Sequence, residues 1–128
     1  MPEKKSKVLV VEDNQDEAKL VQMLLSQEGY EVGLAANGKV GLEMVGSFKP
    51  DLIILDVMMP ELDGFSASKK LRESGKKDIP IILLTGVAKQ IYNTNYPLDG
   101  VLRAEVDEYF EKPINPEEFL KTVKKYLG

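Results

Sequence analysis

Five short strand-like runs recur along the chain, separated by helix-like stretches: KVLVV (7–11), YEVGLA (30–35), DLIIL (51–55), IPIILL (79–84) and DEYFE (107–111). Runs of four to six such residues suit strands, and the stretches between them suit crossover helices. The first, third and fourth runs are almost unbroken Val, Ile and Leu, the composition of strands covered by helices on both faces of a parallel sheet. The second and fifth are more polar and suit the edges. The expected fold is α/β: a doubly wound, five-stranded parallel sheet of flavodoxin-like order 2-1-3-4-5, with helices on both faces. A length of 128 residues fits one domain spanning 1–128, with 1–6 as a flexible N-terminus.

Helix starts are legible locally. Asn14 followed by Glu17, and Asn115 followed by Pro116 and Glu118, combine a side-chain cap, a first-turn proline and acids near the positive end of the helix dipole. Helices should therefore begin at 15 and 116. Ala18, Val21, Leu24 and Leu25 share one face of the first; Phe119, Leu120, Val123 and Leu127 share one face of the last, and both read as core. A helix near 64–74 is poorer, with mainly Phe65 and Leu71 to bury.

Composition narrows the chemistry. The chain has no cysteine and no histidine, which removes thiol nucleophiles, Ser-His-Asp triads and nearly every zinc or haem site. Carboxylates, hydroxyls, lysines and backbone remain. Seventeen basic against 21 acidic residues give a formal charge of -4, and the short basic clusters carry no interleaved aromatic platform, so direct nucleic-acid binding by this domain is not expected. The apolar runs are far shorter than the ~20 residues of a membrane span, and the N-terminus MPEKKSK lacks the apolar region of a signal peptide, so the expected location is the cytoplasm, away from membranes.

In an open parallel sheet, ligands bind beyond the carboxyl ends of the strands, where the winding reverses. That edge collects Glu12 and Asp13 after the first strand, Asp56 at the end of the third, Thr85 at the end of the fourth and Lys112 after the fifth. Any one of these alone reads as a strand end meeting water; five together do not. Three carboxylates in one place repel, by ~4 kcal/mol per pair at ~4 Å and an effective dielectric of 20. Lys112 and one divalent ion would balance them. All-oxygen ligands favour magnesium, which keeps several waters. A metal-bound carboxylate facing solvent, Asp56, can then attack a phosphoryl donor and become an acyl phosphate, with Lys112 and the Thr85 hydroxyl holding the phosphoryl oxygens.

The segments VLVVEDN (8–14), ANG with Leu42 (36–42), PDLIILDVMMPELDG (50–64), IPIILLTG (79–86) and EYFEKP (108–113) together resemble the receiver domain of two-component response regulators across nearly the whole chain. The resemblance implies that Asp56 is the phosphoacceptor, that Glu12, Asp13, Asp56 and the Met58 backbone carbonyl hold Mg2+, and that Thr85 and Lys112 read the phosphoryl group. It also implies a conformational switch through Thr85 and Tyr109, a cis peptide between Lys112 and Pro113, and a turn shaped by Pro60 and Gly64. Access to the site falls to Gly86, Met58 and Val87; the last two are apolar where attacking water would pass, so slow self-dephosphorylation is expected. The donor must be a phosphohistidine of another protein or domain, a sensor histidine kinase or a histidine phosphotransfer protein, since this chain has no histidine. A separate downstream protein would read the signal, and homodimerisation is open.

The chain departs from the family pattern in two places. Thr85 and Lys112 stand 27 positions apart, several more than usual, with the turn-rich YNTNYPLDG between them, and Glu105 stands where the family commonly has glycine. These changes bear on dimerisation and partner choice. Three other readings stay open: a flavodoxin-like nucleotide enzyme, for which EDNQDE offers no glycine-rich cradle; a phosphatase with an aspartyl nucleophile, for which Met58 stands where a second aspartate is usual; and a receiver-fold interaction module that is never phosphorylated. No separate substrate turnover is expected, so the chain is not read as an enzyme.

Overall fold

The computed structural model describes residues 5–56, 79–85, 107–111 and 114–127. Five strands, β1 (Lys7–Val11), β2 (Glu31–Ala35), β3 (Leu52–Asp56), β4 (Ile81–Thr85) and β5 (Glu108–Glu111), form one sheet in the order β2-β1-β3-β4-β5, every pairing parallel. Three helices are described: α1 (Gln15–Gln27), α2 (Gly38–Phe48) and α3 (Pro116–Leu127). The expected helix near 64–74, the turn at Pro60 and Gly64, the stretch 86–106 and the Lys112–Pro113 peptide lie outside the described residues.

The strand order follows from handedness. β1 steps one way to β2, and β2 steps back past β1 to β3; right-handed crossovers then require α1 and α2 on opposite faces. Alternation of side chains along each strand feeds both layers. Leu9, Val11, Ile53, Leu55, Ile81 and Leu83 pack on the face that carries Val45 of α2. Their neighbours Val8, Val10, Leu52, Ile54, Ile82 and Leu84 pack on the other, against Val21 and Leu25 of α1 and Phe119 and Val123 of α3. The central strands are apolar throughout because each of these residues is buried, whichever way it points.

Both expected helix starts are present, and the caps are the expected ones. The Asn14 side chain accepts from the Glu17 amide at 3.0 Å, and Asn115 from the Glu118 amide at 3.1 Å. Ala18, Val21 and Leu25 are buried as expected, with Leu24 half-buried beside them. Beyond the Glu28 cap of α1, Gly29 with its φ of 89° turns the chain so that the Tyr30 amide donates back to the Leu25 carbonyl.

Four strand starts lie later than the runs suggest, at Glu31, Leu52, Ile81 and Glu108. Tyr30 belongs to the end of α1 through that bond. Proline has no N–H to give a ladder, so Pro80 contributes only its carbonyl, to the Ile53 amide at 3.0 Å, and β4 begins at Ile81. Asp107 acts as a clamp: its carboxylate accepts from the Ile81 amide at 2.8 Å and its own amide donates to the Ile81 carbonyl at 2.9 Å. α3 is tied to the same corner by the Tyr126 hydroxyl, which donates to Glu108 at 2.9 Å and lies 3.2 Å from the Asp107 carbonyl. Partial burial and then the Glu108 carboxylate push the Tyr126 phenol up to about 12. A raised folded-state value means the tie is complete below the phenol's ordinary value of 10 and weakens only as pH rises through about 12, so it is constant across neutral pH.

α2 approaches the sheet closely because Gly41 faces Val11. A Cβ at Gly41 would lie 2.8 Å from Val11 Cγ2 and 3.2 Å from Cγ1, and Val11 is itself buried. Gly41→Ala gains about 1 kcal/mol of helix propensity but incurs overpacking of about 1–3 kcal/mol. Val11 has little room to give, so the expected net effect is destabilisation by roughly 1–2 kcal/mol, read from the midpoint of urea unfolding. Stabilisation would mean that α2 can lift from β1. Among the described residues no helix is long and apolar enough to cross a membrane.

Candidate functional site

The winding reverses between β1 and β3, so their carboxyl ends open a crevice. Register sets what meets there. Val11 pairs with Leu55, so Glu12 and Asp56, each one residue further on, reach the edge at the same level. Asp56 pairs with Leu84, which puts Thr85 one residue beyond it on the next strand. Thr85 pairs with Glu111, so the chain leaves β5 toward Lys112 at that level as well. The backbone therefore brings the positions of Glu12, Asp13, Asp56 and Thr85 to one edge, with β5 leading to Lys112. Tyr109 pairs with Leu83 inside β5. Met58, Gly86, Val87 and Lys112 lie outside the described residues.

Glu12 is the one charged residue buried among those described, at 3% exposure. Its amide donates to the Ala35 carbonyl at 2.9 Å, which joins the tips of β1 and β2, and its carboxylate accepts from the Asn14 amide at 3.3 Å. Asn14 in turn caps α1. The turn 12–14 is thus held at three points, and it presents Asp13 to solvent. Two adjacent acids, one buried and one exposed, stand at the start of a helix whose first turn adds Asp16 and Glu17.

Beside them lies a cleft of about 280 Å3, lined by Glu12, Asp13, Gln15, Lys19, Ala35 and Ala36 among others. Each water takes about 30 Å3 of liquid, so the cleft admits several. An all-oxygen donor pair next to space wide enough for water fits a hard, partly hydrated cation such as Mg2+ better than a softer metal. Among the residues whose side chains are described, no group of three metal-ligating side chains closes round one point.

The wall built from Ala35 and Ala36 carries no local signal in the sequence. The signal was available in the strand order: in 2-1-3 the tip of β2 must flank the tip of β1.

Residues 8–124 match the family described as "Response regulator receiver domain". The chain is 39% identical over 123 residues to the alkaline phosphatase synthesis transcriptional regulatory protein PhoP of Bacillus subtilis, across 94% of this chain but 48% of that protein, so it spans about half of that relative. It is 32% identical over 122 residues to the polar-differentiation response regulator DivK of Brucella anthropi, across 94% of this chain and 95% of that one. Among solved structures, the response regulator TrrA of Thermotoga maritima in complex with Mg2+–BeF superposes with a TM-score of 0.80 at 33% identity, over 94% of this chain and 98% of that one.

Proposed function

Because this chain belongs to the response regulator receiver domain family, whose business is phosphorylation-based signalling, we propose that Asp56 is its phosphoacceptor and that a phosphohistidine of a sensor histidine kinase or histidine phosphotransfer protein is the donor. The observation that carries this reading is the register, which delivers Glu12, Asp56 and Thr85 to one edge of the sheet from three different strands.

In this reading Glu12, Asp13, Asp56 and the Met58 carbonyl hold Mg2+, in keeping with the Mg2+–BeF complex of TrrA. When bound there, Mg2+ would supply positive charge that offsets the acids and the incoming phosphoryl oxygens. An Asp56 carboxylate oxygen forms the new bond to phosphorus as the donor's P–N bond breaks, and the histidine nitrogen leaves with the electron pair. Thr85 donates its hydroxyl to one phosphoryl oxygen and Lys112 its ammonium to another. Phosphorylation takes the acceptor from one negative charge to nearly two. Thr85 follows that charge, Tyr109 in the neighbouring strand follows Thr85, and a partner reads the change; the shift is as large as the difference in affinity of the two conformations for the added charge. Met58 and Val87 keep water from the acyl phosphate, Gly86 leaves room for the donor, and the group is lost slowly. The domain turns over no separate substrate.

The experiment uses a small donor, acetyl phosphate, with Mg2+. One phosphoryl group should add to the intact chain, seen by mass, and none to Asp56→Asn. Phosphorylation that persists in Asp56→Asn would move the acceptor elsewhere, and a parent chain that never gains the group would favour a module that binds its partner unmodified.

A further inference from the structure

Asn37 and Gly38 form the only Asn-Gly step in the sequence; the other asparagines precede Gln15, Thr94, Tyr96 and Pro116. The step lies where α2 begins. Asn37 is extended, with φ -157° and ψ 173°, and its side-chain oxygen accepts from the Val40 amide at 2.9 Å. Gly38 is the first helical residue, and its N–H is one of the four at a helix start that no carbonyl of the helix can take. Gly38 is buried, so its nitrogen comes within reach of the Asn37 side chain when the turn opens, and glycine then brings no Cβ to hinder the attack.

We propose that Asn37–Gly38 is a site of spontaneous deamidation, held in check by the α2 cap. The Gly38 nitrogen attacks Asn37 Cγ and forms a C–N bond. The bond from Cγ to Nδ2 breaks, and ammonia leaves carrying the Gly38 amide proton. Water then opens the five-membered imide at one carbonyl or the other, leaving aspartate or isoaspartate at position 37. In the folded chain the carboxamide oxygen is committed to the Val40 amide, so the group must release that bond before it can turn onto the Gly38 nitrogen. The reaction therefore proceeds from the state in which the first turn of α2 is open.

The two products differ in what they do to the helix. α1 starts with Asp16 and Glu17 and α3 with Glu117 and Glu118, whereas α2 has no acid in its first turn. Aspartate at 37 keeps an acceptor for the Val40 amide and adds the negative charge that this helix start lacks. Isoaspartate lengthens the main chain by one carbon and displaces the acceptor. Ala36, next along the chain, lines the cleft with Glu12 and Asp13, so the new charge arises beside that cleft.

The test incubates the intact chain and Asn37→Ser at neutral pH, in buffer and in unfolding urea, and follows acidic species by ion exchange with peptide mass mapping. The parent should accumulate an acidic form mapped to 37–38, absent from Asn37→Ser. Its formation should be at least roughly five-fold faster in urea, the population change that loss of one capping bond represents. Asn37→Asp should melt at or above the temperature of Asn37→Ser. The same acidic form in Asn37→Ser, none in the parent even in urea, equal rates in buffer and urea, or an Asn37→Asp chain that melts below Asn37→Ser would each overturn the proposal.

Discussion

Chelating Mg2+ with EDTA should stop acetyl phosphate from modifying this chain, and Asp13→Asn should raise the Mg2+ concentration for half-maximal phosphorylation by roughly ten- to a hundred-fold. Asp13 is exposed, so its attraction for a divalent ion is screened well below the ~8 kcal/mol that a single and a double charge share at ~4 Å in a dielectric of 20. What survives screening, about 1.4–3 kcal/mol, corresponds to that range. Asn37→Ser, one residue beyond the cleft wall at Ala36, serves as the control because it removes no carboxylate. Mg2+ should also raise the melting temperature of the parent, since a ligand held only by the folded chain stabilises it by about 2.7 kcal/mol at a hundred times its dissociation constant. The shift should shrink in Asp13→Asn. Identical Mg2+ titrations for parent and variant would remove the tip of β1 from the ion's seat.

The largest loss of stability is expected from Phe119→Ala. Phe119 is fully buried among Val8, Val10, Ile54, Ile82 and Val123, and its ring meets Phe110 edge-on at 5.8 Å and 76°. Removing a buried phenylalanine costs about 3–5 kcal/mol, against a total of about 5–15 kcal/mol for a domain. The urea midpoint should fall by on the order of 2 M. Leu120, half-buried on the neighbouring position of α3, should cost less when truncated. A midpoint shift no larger for Phe119→Ala than for Leu120→Ala would mean that α3 is not the lid of that layer.

Which strands lie inside the sheet and which at its edges, and both helix caps, are legible because their causes are local. Val, Ile and Leu in an unbroken run need cover on both faces wherever the strand goes, and an asparagine three residues before the amide that donates to it needs no distant partner. The positions of the acids could be read too, since an edge shared by successive strands follows from parallel winding alone.

Other features depend on residues far apart in the chain. Glu12 reads as a strand end meeting water, yet it is buried, because β2 crosses beside β1 and offers the Ala35 carbonyl to its amide. Asp107 reads as part of a strand, yet its carboxylate serves an amide 26 residues away. Gly41 carries no local signal at all; only the approach of α2 to Val11 makes a side chain there too large. Periodicity and capping are properties of neighbouring residues, so the sequence by itself determines them. Close approach, burial of a charge and the pairing of distant backbone groups arise only when separate elements pack, and those the tertiary structure decided.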